Sequence, residues 1–321
     1  MKKIIAIAGL GLMLGLNVFA QQDAIYSQYM FNGITLNPGY AGNKGVLNFN
    51  GIYRRQWTGL PGSPTTMTFS VDGPIANKKM GLGFYAQADK LGAESRTSAY
   101  GSYAYKIPVS FNYSLSFGLS FGLFQYSLDG LKLNFGDADD ANAGTSAVRP
   151  DAKFGVYFSS DNFYVGASAS NLLGQSLTIT NGSTTSTYKF TRHYYLTTGY
   201  IFRVNNFLKI YPSMLFKEDF LSPSDLDLNT FVLMNNTFWI GVSYRSAVKL
   251  FKKTYDYSNV RQQNALLLIM QVYLNEKIRI GYAYDASISG LASYAGSTHE
   301  ISLAYLLPVS RSLRMLSPRY F

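Results

Sequence analysis

Apolar and aromatic residues alternate with small or polar residues along most of this chain. In the stretch KIRIGYAYD, the even-numbered residues from Ile278 to Tyr284 are apolar or aromatic, whereas the odd-numbered residues from Arg279 to Asp285 are small or polar. The stretches MGLGFYAQAD, SLSFGLSFGLF and EISLAYL repeat this pattern. A period of two is typical of a β-strand with one face against an apolar environment.

The alternation predicts about 14 strands, most of them near the ~9–11 residues that cross a membrane as a tilted strand. The predicted strands are residues 47–57, 64–72, 79–88, 96–106, 113–127, 151–158, 162–170, 189–203, 206–217, 226–234, 237–246, 263–274, 277–287 and 298–307. The shortest is 151–158. After the first 20 residues, no stretch reaches the ~18 apolar residues that a spanning helix needs.

The connections between these strands differ in length in a regular way. Every second connection is short, such as SSD, NN and NE, and the others are mostly longer and polar. Outer-membrane barrels have short periplasmic turns and long external loops, whereas a soluble β-sandwich has no reason to sort its loops. We therefore predict an all-β fold, a transmembrane antiparallel β-barrel of the outer membrane over residues 47–307, with both termini periplasmic. A soluble secreted β-protein is the alternative.

The first 20 residues have the features of a signal peptide. Lys2 and Lys3 precede an apolar run, and Val18-Phe19-Ala20 supplies the small-residue ending that signal peptidase prefers. We expect cleavage before Gln21, which exports the protein. The chain contains no Cys, and this excludes disulfides, thiolate metal sites and lipid attachment through an N-terminal Cys.

Residues 21–46 lie between the signal peptide and the first predicted strand. They contain YSQYMFNGITLNPGYAG, which is aromatic, rich in Asn and Gly, and uncharged. A barrel of about 14 strands is too wide for its own side chains to fill, and its predicted inner face is rich in Gly, Ser, Ala and Tyr. We expect the segment to pack there as a plug or collar. A loose periplasmic leader is the alternative.

The charge of the chain adds little to this interpretation. The formal net charge is +10, and it falls to +8 when Lys2 and Lys3 leave with the signal peptide. Charged residues make up only 14%, and no run of Lys or Arg exceeds two, so we expect no nucleic-acid binding. Aromatic residues make up 16%, which suits the aromatic girdles of a membrane barrel.

The sequence offers few residues for catalysis or metal binding. The histidines are His193 and His299, each within a predicted strand, and the sequence assigns no Ser to either. We expect no enzymatic activity and no cofactor, and an outer-membrane lipid hydrolase is the rival. The weak metal candidates are Asp137, Asp139 and Asp140, which resemble the start of a calcium loop although Val148 replaces the closing Glu.

Two basic stretches are candidates for contacts. Residues 308–321 follow the last strand, and their partner-contact candidates are Arg311, Arg314, Arg319, Tyr320 and Phe321. A mix of cations and apolar anchors favours docking to a protein in the periplasm. The stretch KLFKK, residues 249–253, lies on a predicted long external loop. A solubilising loop is the preferred interpretation, and contact with anionic groups of the outer-membrane lipid is the alternative.

Several stretches resemble a known family. YSQYMFNGITLNPGYAG, RRQWTGLPGSPTTMTFSVDGP, GLGFYAQAD and the terminal SPRYF resemble the PorP/SprF outer-membrane proteins of the Bacteroidetes type IX secretion system, over the whole chain. Gly39 stands where such sequences often have Ala. The residues that the resemblance assigns to partner binding are Tyr26, Gln28, Asn37, Pro38, Gly42, Arg55, Gln56, Trp57 and Pro64.

The resemblance implies an outer-membrane barrel that works with the secretion and gliding machinery. Its implied partners are exported proteins with a C-terminal sorting domain, and secretion components of the periplasm and outer membrane, including peptidoglycan-binding proteins. We therefore expect a non-enzymatic barrel that assists export of a surface protein or anchors it. The alternative is a channel for small or hydrophobic solutes, gated by residues 21–46.

Overall fold

The computed structural model describes residues 26–75, 79–129, 145–174, 176–181, 184–248, 250–251, 264–288 and 296–308. Over these residues the protein consists of β-strands and three short 3-10 helices. The helices are η1 (Tyr29–Phe31), η2 (Gly33–Thr35) and η3 (Pro38–Tyr40). The strands are β1 (Leu47–Arg55), β2 (Thr65–Ile75), β3 (Met80–Leu91), β4 (Glu94–Ser110), β5 (Tyr113–Leu128), β6 (Thr145–Ser159), β7 (Phe163–Ser170), β8 (Ser176–Asn181), β9 (Thr184–Lys189), β10 (His193–Tyr200), β11 (Phe202–Arg203), β12 (Leu208–Glu218), β13 (Ser224–Met234), β14 (Phe238–Val248), β15 (Ala265–Tyr273), β16 (Ile278–Ser287) and β17 (Thr298–Leu307).

The strands close into a ring. Neighbours along the chain pair antiparallel, the first strand β1 pairs with the last strand β17, and β10 joins β7 on one side and β12 on the other. Strands β8 and β9 form a hairpin outside the ring, and β11 continues β10 beyond Ile201. The result is a closed antiparallel barrel of 14 strands, which confirms the predicted fold.

The predicted strands are all present, with some ends shifted. The stretch 151–158 was predicted as the shortest, which is wrong: β6 begins at Thr145, because its pairing with β5 continues as far as Leu128. The predicted strand 189–203 is interrupted at Ile201 and begins only at His193. The hairpin of β8 and β9 lies in a stretch that was predicted to be a loop.

The two faces of the wall differ as the alternation predicts. On β5, Phe117, Phe121 and Leu123 are exposed on the outside, while Ser116 and Ser120 are buried on the inside. An apolar outer face is the surface that lipid requires of a membrane barrel. Within the described part of the chain, no helix is both long and apolar enough to cross a membrane.

Most connections are sorted by length between the two ends of the barrel. The exception is the connection of β3 to β4, which has only residues 92–93 at the end where the other connections are longer. Residues 160–162 join β6 to β7 and residues 235–237 join β13 to β14 at one end, named the short-turn end. Residues 56–64 join β1 to β2 at the other end, named the long-loop end. The start of β1 lies at the short-turn end, so the residues that precede it meet the barrel there.

Candidate functional site: a segment inside the barrel

Residues 26–46, named the N-terminal segment, are buried except for the half-buried Gly33. Their hydrogen bonds reach strands on every side of the ring, namely β1, β2, β4, β6, β7, β13, β15, β16 and β17. A segment that bonds to inward-facing groups all round a closed wall lies inside it. It therefore occupies the interior of the barrel.

The segment descends from one end of the interior toward the other. Ser27 meets Arg54, near the long-loop end of β1. Gly42 donates its N–H to Asp72, 3.0 Å away, and Asp72 also binds Asn48 near the short-turn end of β1. Arg54 and Asn48 are six positions apart on one strand, a distance of about 20 Å at the usual rise per residue. The described segment thus begins at the level of the long-loop end and finishes at the short-turn end.

Inward-facing glycines make room for the segment. A Cβ added to any one of five of them would stand between 1.9 and 2.2 Å from a segment atom. These five are Gly81, Gly83, Gly118, Gly155 and Gly281. At Gly81 and Gly118 the nearest segment atoms are backbone, so glycine lets the backbone of the segment approach the wall there. At the other three the nearest atoms belong to segment side chains, which lie close against the wall.

Three charged side chains hold the upper end of the segment and are named the charged cluster: Arg54, Asp285 and Glu300. Arg54 pairs with Asp285 at 2.8 Å and with Glu300 at 3.0 Å, and the side-chain exposures are 4%, 6% and 0%. Glu300 accepts the backbone N–H groups of Ser27 and Gln28 at 2.8 and 2.9 Å. The Ser27 hydroxyl donates to Asp285 at 2.8 Å and accepts from Arg54. Buried charges need such partners, because the cost of removing them from water is high.

Tyr26 and Gln28 add neutral contacts at the same level. The Gln28 amide oxygen accepts hydrogen bonds from Gln271 at 2.8 Å and from Ser302 at 2.7 Å. The Tyr26 hydroxyl contacts the hydroxyl of Thr68. Both residues that the resemblance singles out here therefore bind the wall of their own barrel.

Phe31 anchors the middle of the segment. Its carbonyl accepts hydrogen bonds from Lys44 at 3.0 Å, Asn50 at 3.3 Å and Arg279 at 3.4 Å. The Arg279 guanidinium also lies 4.9 Å from the centre of the Phe31 ring, and the Trp239 ring packs edge-on at 5.6 Å. This combination of aromatic and cationic contacts fixes the segment against β14 and β16.

Asn37, Pro38 and Gly39 form the next contact. The Asn37 side chain caps η3 by accepting the Gly39 N–H at 2.8 Å, and Pro38 takes the first helical position. The Asn37 amide nitrogen donates to the carbonyls of Val156 at 3.0 Å and Ala167 at 3.2 Å. One side chain thus completes the helix cap and bonds to β6 and β7. Gly42 follows with φ +71°, a conformation that favours glycine.

The remaining residues singled out by the resemblance lie elsewhere, at the end of β1 and on the connection between β1 and β2. Arg55 is exposed, Trp57 is half-buried with φ +50°, and Pro64 is buried. The Gln56 N–H donates to the Pro64 carbonyl at 2.9 Å. With its amide oxygen turned toward Arg54, Gln56 accepts a hydrogen bond of 2.9 Å from Arg54 Nε, which links this connection to the charged cluster. Partner binding by all these residues stays a prediction.

The two histidines lie on opposite faces of the wall. His193 is buried, and its Nδ1 lies 3.1 Å from the Thr191 carbonyl. His299 lies on the outer face of β17, where its Nε2 is 3.2 Å from the Ser297 hydroxyl and its Nδ1 is 2.7 Å from the Tyr282 hydroxyl. The structure therefore brings one Ser to a His, although the sequence alone assigned none.

Other sequence predictions fall outside the described residues. These are the signal peptide 1–20, the aspartates Asp137, Asp139 and Asp140, most of the basic loop 249–253, and the tail residues Arg311, Arg314, Arg319, Tyr320 and Phe321. Among the residues that are described, no group of three or more acidic or His side chains is arranged to hold a metal ion.

The charged cluster is the part of the site that sequence reasoning missed. The alternation predicted that Arg54 or Arg55 faces inward, and it placed Asp285 on the inner face. Glu300 alternates with outward-facing residues of β17 in the same way. The sequence signal for the cluster was therefore the presence of charged residues on the predicted inner face. The sequence around each residue does not indicate that these charges contact one another.

The comparisons with known proteins address the family and the fold. The family model described as type IX secretion system membrane protein PorP/SprF matches residues 18–305. The chain belongs to the PorP/SprF family. No protein of curated function matches this PorP/SprF chain.

Solved structures with a similar fold are outer-membrane barrels. The CymD monoaromatic hydrocarbon channel is 10% identical, with a TM-score of 0.53 over 88% of this chain and 93% of that one. The toluene transporter TbuX of Ralstonia pickettii is 10% identical, with a TM-score of 0.47 over 86% and 92%. Omp33 of Acinetobacter baumannii is 9% identical, with a TM-score of 0.44 over 82% and 100%. At these identities the CymD likeness concerns the fold alone.

Proposed function

We propose that this PorP/SprF barrel serves type IX secretion and gliding as a closed, non-enzymatic outer-membrane component. Its task is to assist the export of a protein with a C-terminal sorting domain, or to anchor that protein at the cell surface. The long-loop end then faces outward and the short turns face the periplasm, as in other outer-membrane barrels. Membership of the family supports the secretion role.

The observation that carries this proposal is the filled interior. The N-terminal segment touches most strands of the wall and lies against inward-facing glycines of that wall. A barrel plugged by its own chain leaves the outer membrane sealed while its loops and periplasmic face bind partners. The tail 308–321, and Arg55 and Trp57 at the long-loop end, are the further contact candidates. Periplasmic peptidoglycan-binding components are the expected partners at the tail.

A channel for hydrophobic solutes is the second candidate, and one groove favours it. The groove has a volume of about 390 Å³ and lies between β10, β12 and β13. Its outer rim carries Tyr200, Met214 and Leu228, and at its base Asn229 donates to the Tyr29 hydroxyl of the segment. The groove thus lies on the wall at the level where Asn229 holds the segment on its inner side.

Affinity purification tests the anchor proposal. The tagged protein is purified from native outer membranes in mild detergent, and its partners are identified by mass spectrometry. The variants are a deletion of residues 21–42 and a truncation after Pro308. Gly101→Val serves as the matched control, because a Cβ at Gly101 meets nothing within 4 Å.

We expect a large exported protein or periplasmic components to co-purify, and one of the two truncations to lose them. A barrel that purifies without partners in every variant would contradict the proposal. Conductance in planar bilayers distinguishes the anchor from the solute channel. If the protein is an anchor, we expect the wild-type barrel to stay closed and the 21–42 deletion to conduct. Open conductance in wild type would favour the channel.

A further inference from the structure

The two ends of the N-terminal segment are held in different ways. At the short-turn end the segment continues covalently into β1, and Asn43 and Gly42 bond to Lys106 and Asp72. At the long-loop end the described part of the segment begins at Tyr26. There Tyr26, Ser27 and Gln28 are held by non-covalent contacts to five strands, and the charged cluster supplies the strongest of them.

The charged cluster carries more negative than positive charge. Arg54 faces the two carboxylates of Asp285 and Glu300, and the nearest further cation, Arg245, stands 3.8 Å from Asp285 while it forms its closer pair with Asp227. Ser27 and Gln28 contribute two backbone N–H groups and one hydroxyl to these carboxylates. Hydrogen bonds to ionised groups are stronger than those between neutral groups. The carboxylates of the charged cluster therefore favour a peptide that offers N–H or O–H donors.

The remainder of the segment does not depend on this cluster. Asn37 bonds to β6 and β7, and Pro38 and Gly39 lie against Gly118. Loss of the contacts at residues 26–28 leaves those deeper contacts intact. The segment can therefore open at its upper end while its lower part stays in place.

We propose that residues 26–28 form a releasable latch, and that a ligand acting from the long-loop side displaces it. The ligand is an extended peptide that presents backbone N–H groups and a hydroxyl or amide, and that is uncharged or basic, because the cluster repels acidic groups. This inference rests on the proposed function for the identity of the partner, an exported protein at the cell surface. The existence and sidedness of the latch do not depend on that identity.

Single-cysteine labelling tests the latch. Because the chain has no native Cys, label on the protein purified after the reaction reports only the introduced cysteine. Ser27→Cys reports on the latch and Asn43→Cys on the lower end. Each is combined with Glu300→Gln, which removes the charge that binds Ser27 and Gln28. Intact cells and cells with a permeabilised outer membrane are treated with a membrane-impermeant maleimide.

We expect Glu300→Gln to raise labelling of Cys at position 27 in intact cells at least tenfold, with no change at position 43. The matched control is Asp151→Asn, which neutralises a buried carboxylate that bonds to Tyr100 and not to the segment. Labelling at position 27 only after permeabilisation overturns the sidedness, and an equal rise at both positions overturns the latch.

Two further arms keep the test decisive. Gln28→Ala removes the bonds to Gln271 and Ser302 without a change in the wall. We expect it to raise labelling at position 27 about threefold. The absence of a rise overturns the latch even if Glu300→Gln fails to fold.

The second arm adds the synthetic peptide YSQYMF to intact cells. We expect this peptide to raise labelling at position 27, whereas a scrambled peptide does not. Equal effects of the two peptides overturn the proposed peptide ligand. Labelling requires no exported client, so it is independent of the purification result.

Discussion

Gly118 of β5 and Pro38 of the N-terminal segment meet backbone to backbone. A Cβ at position 118 would stand 2.2 Å from the Pro38 carbonyl carbon, closer than real Cβ atoms approach. Since the neighbouring group is backbone and not a flexible side chain, the two surfaces fit only because position 118 carries hydrogen.

Gly118→Val is therefore expected to expel the middle of the segment and leave the barrel folded. The change should turn a closed barrel into a conducting one in planar bilayers and expose residues 26–46 to protease. Gly101→Val is the matched control on the neighbouring strand, since an added Cβ at this position meets nothing within 4 Å. Equal conductance and equal protease resistance in the two variants would show that the segment is not displaced.

Asn37→Asp should loosen the segment through lost donors. The Asn37 amide nitrogen serves two wall carbonyls, and a carboxylate at this position would face both with negative charge. Buried acceptors left without a donor cost about 1–3 kcal/mol each. Fluorescence of Trp239, which packs on Phe31, measures the urea concentration that releases the segment.

Asn205→Asp is the control for that substitution. The Asn205 side chain acts only as an acceptor, for the N–H groups of Phe207 and Leu208, in an exposed turn. A carboxylate keeps that function, so we expect no shift in the urea midpoint. A comparable shift in both variants would argue against the role of the Asn37 donors.

Arg54→Met should destabilise the folded barrel strongly. It leaves Asp285 and Glu300 buried without their cation, and removal of one partner from a buried pair costs about 3–5 kcal/mol. Arg96→Met provides the comparison, because its pair with Glu94 at 3.2 Å is partly exposed and such pairs contribute about 0–1 kcal/mol. Urea unfolding in detergent measures both, and a loss no larger for Arg54 than for Arg96 would contradict the assigned role.

Asp219, in the connection between β12 and β13, should make stability depend on acid pH. Burial alone raises its pKa, but hydrogen bonds from the Ser222 hydroxyl and from the N–H groups of Ser222 and Leu221 bring the pKa below its ordinary value. The folded protein then binds this proton less readily than the unfolded chain. Its stabilisation is present above the unfolded pKa of about 3.9 and is lost as pH falls through the lower folded value.

Asp219→Asn is expected to flatten this dependence. Urea midpoints at pH 5 and at pH 3 measure it: wild type should lose more stability between them than the variant does. Asp161→Asn, in an exposed turn, is the control and should resemble wild type. Identical pH dependence in wild type and Asp219→Asn would rule out this contribution.

His299→Ala should leave outer-membrane lipids unchanged. His299 binds Tyr282 and Ser297 on the outer wall, and aromatic and polar residues of this kind are typical of a membrane girdle. Release of free fatty acid from outer-membrane vesicles is the measurement. Release of fatty acid that disappears in His299→Ala and persists in His193→Ala would support the lipid-hydrolase alternative.

The strand pattern was predictable because it is local. One-sided burial imposes a period of two, so the 14 wall strands follow from the alternation, and loop lengths indicate their direction. The start of β6 was missed because pairing with β5 extends it beyond its own alternating core. The hairpin of β8 and β9 was missed because its Thr- and Ser-rich residues read as a loop.

The site was predictable only in composition. An uncharged aromatic segment before a wall rich in Gly and Tyr indicates an internal contact, but not which groups meet. Arg54 and Glu300 are 246 positions apart, and Ser27 and Glu300 are 273 apart. These residues meet only because the barrel closes. No short stretch of sequence predicts which residues the closure brings together.

The charged cluster also lies across the seam of the barrel. Arg54 belongs to the first wall strand and Glu300 to the last, and these two positions pair in the β1–β17 ladder. The two strands whose pairing closes the ring are therefore the strands that hold the upper end of the segment, because Ser27 meets Arg54 and Glu300, and Gln28 meets Glu300. Closure of the wall and retention of the segment thus share the same side chains.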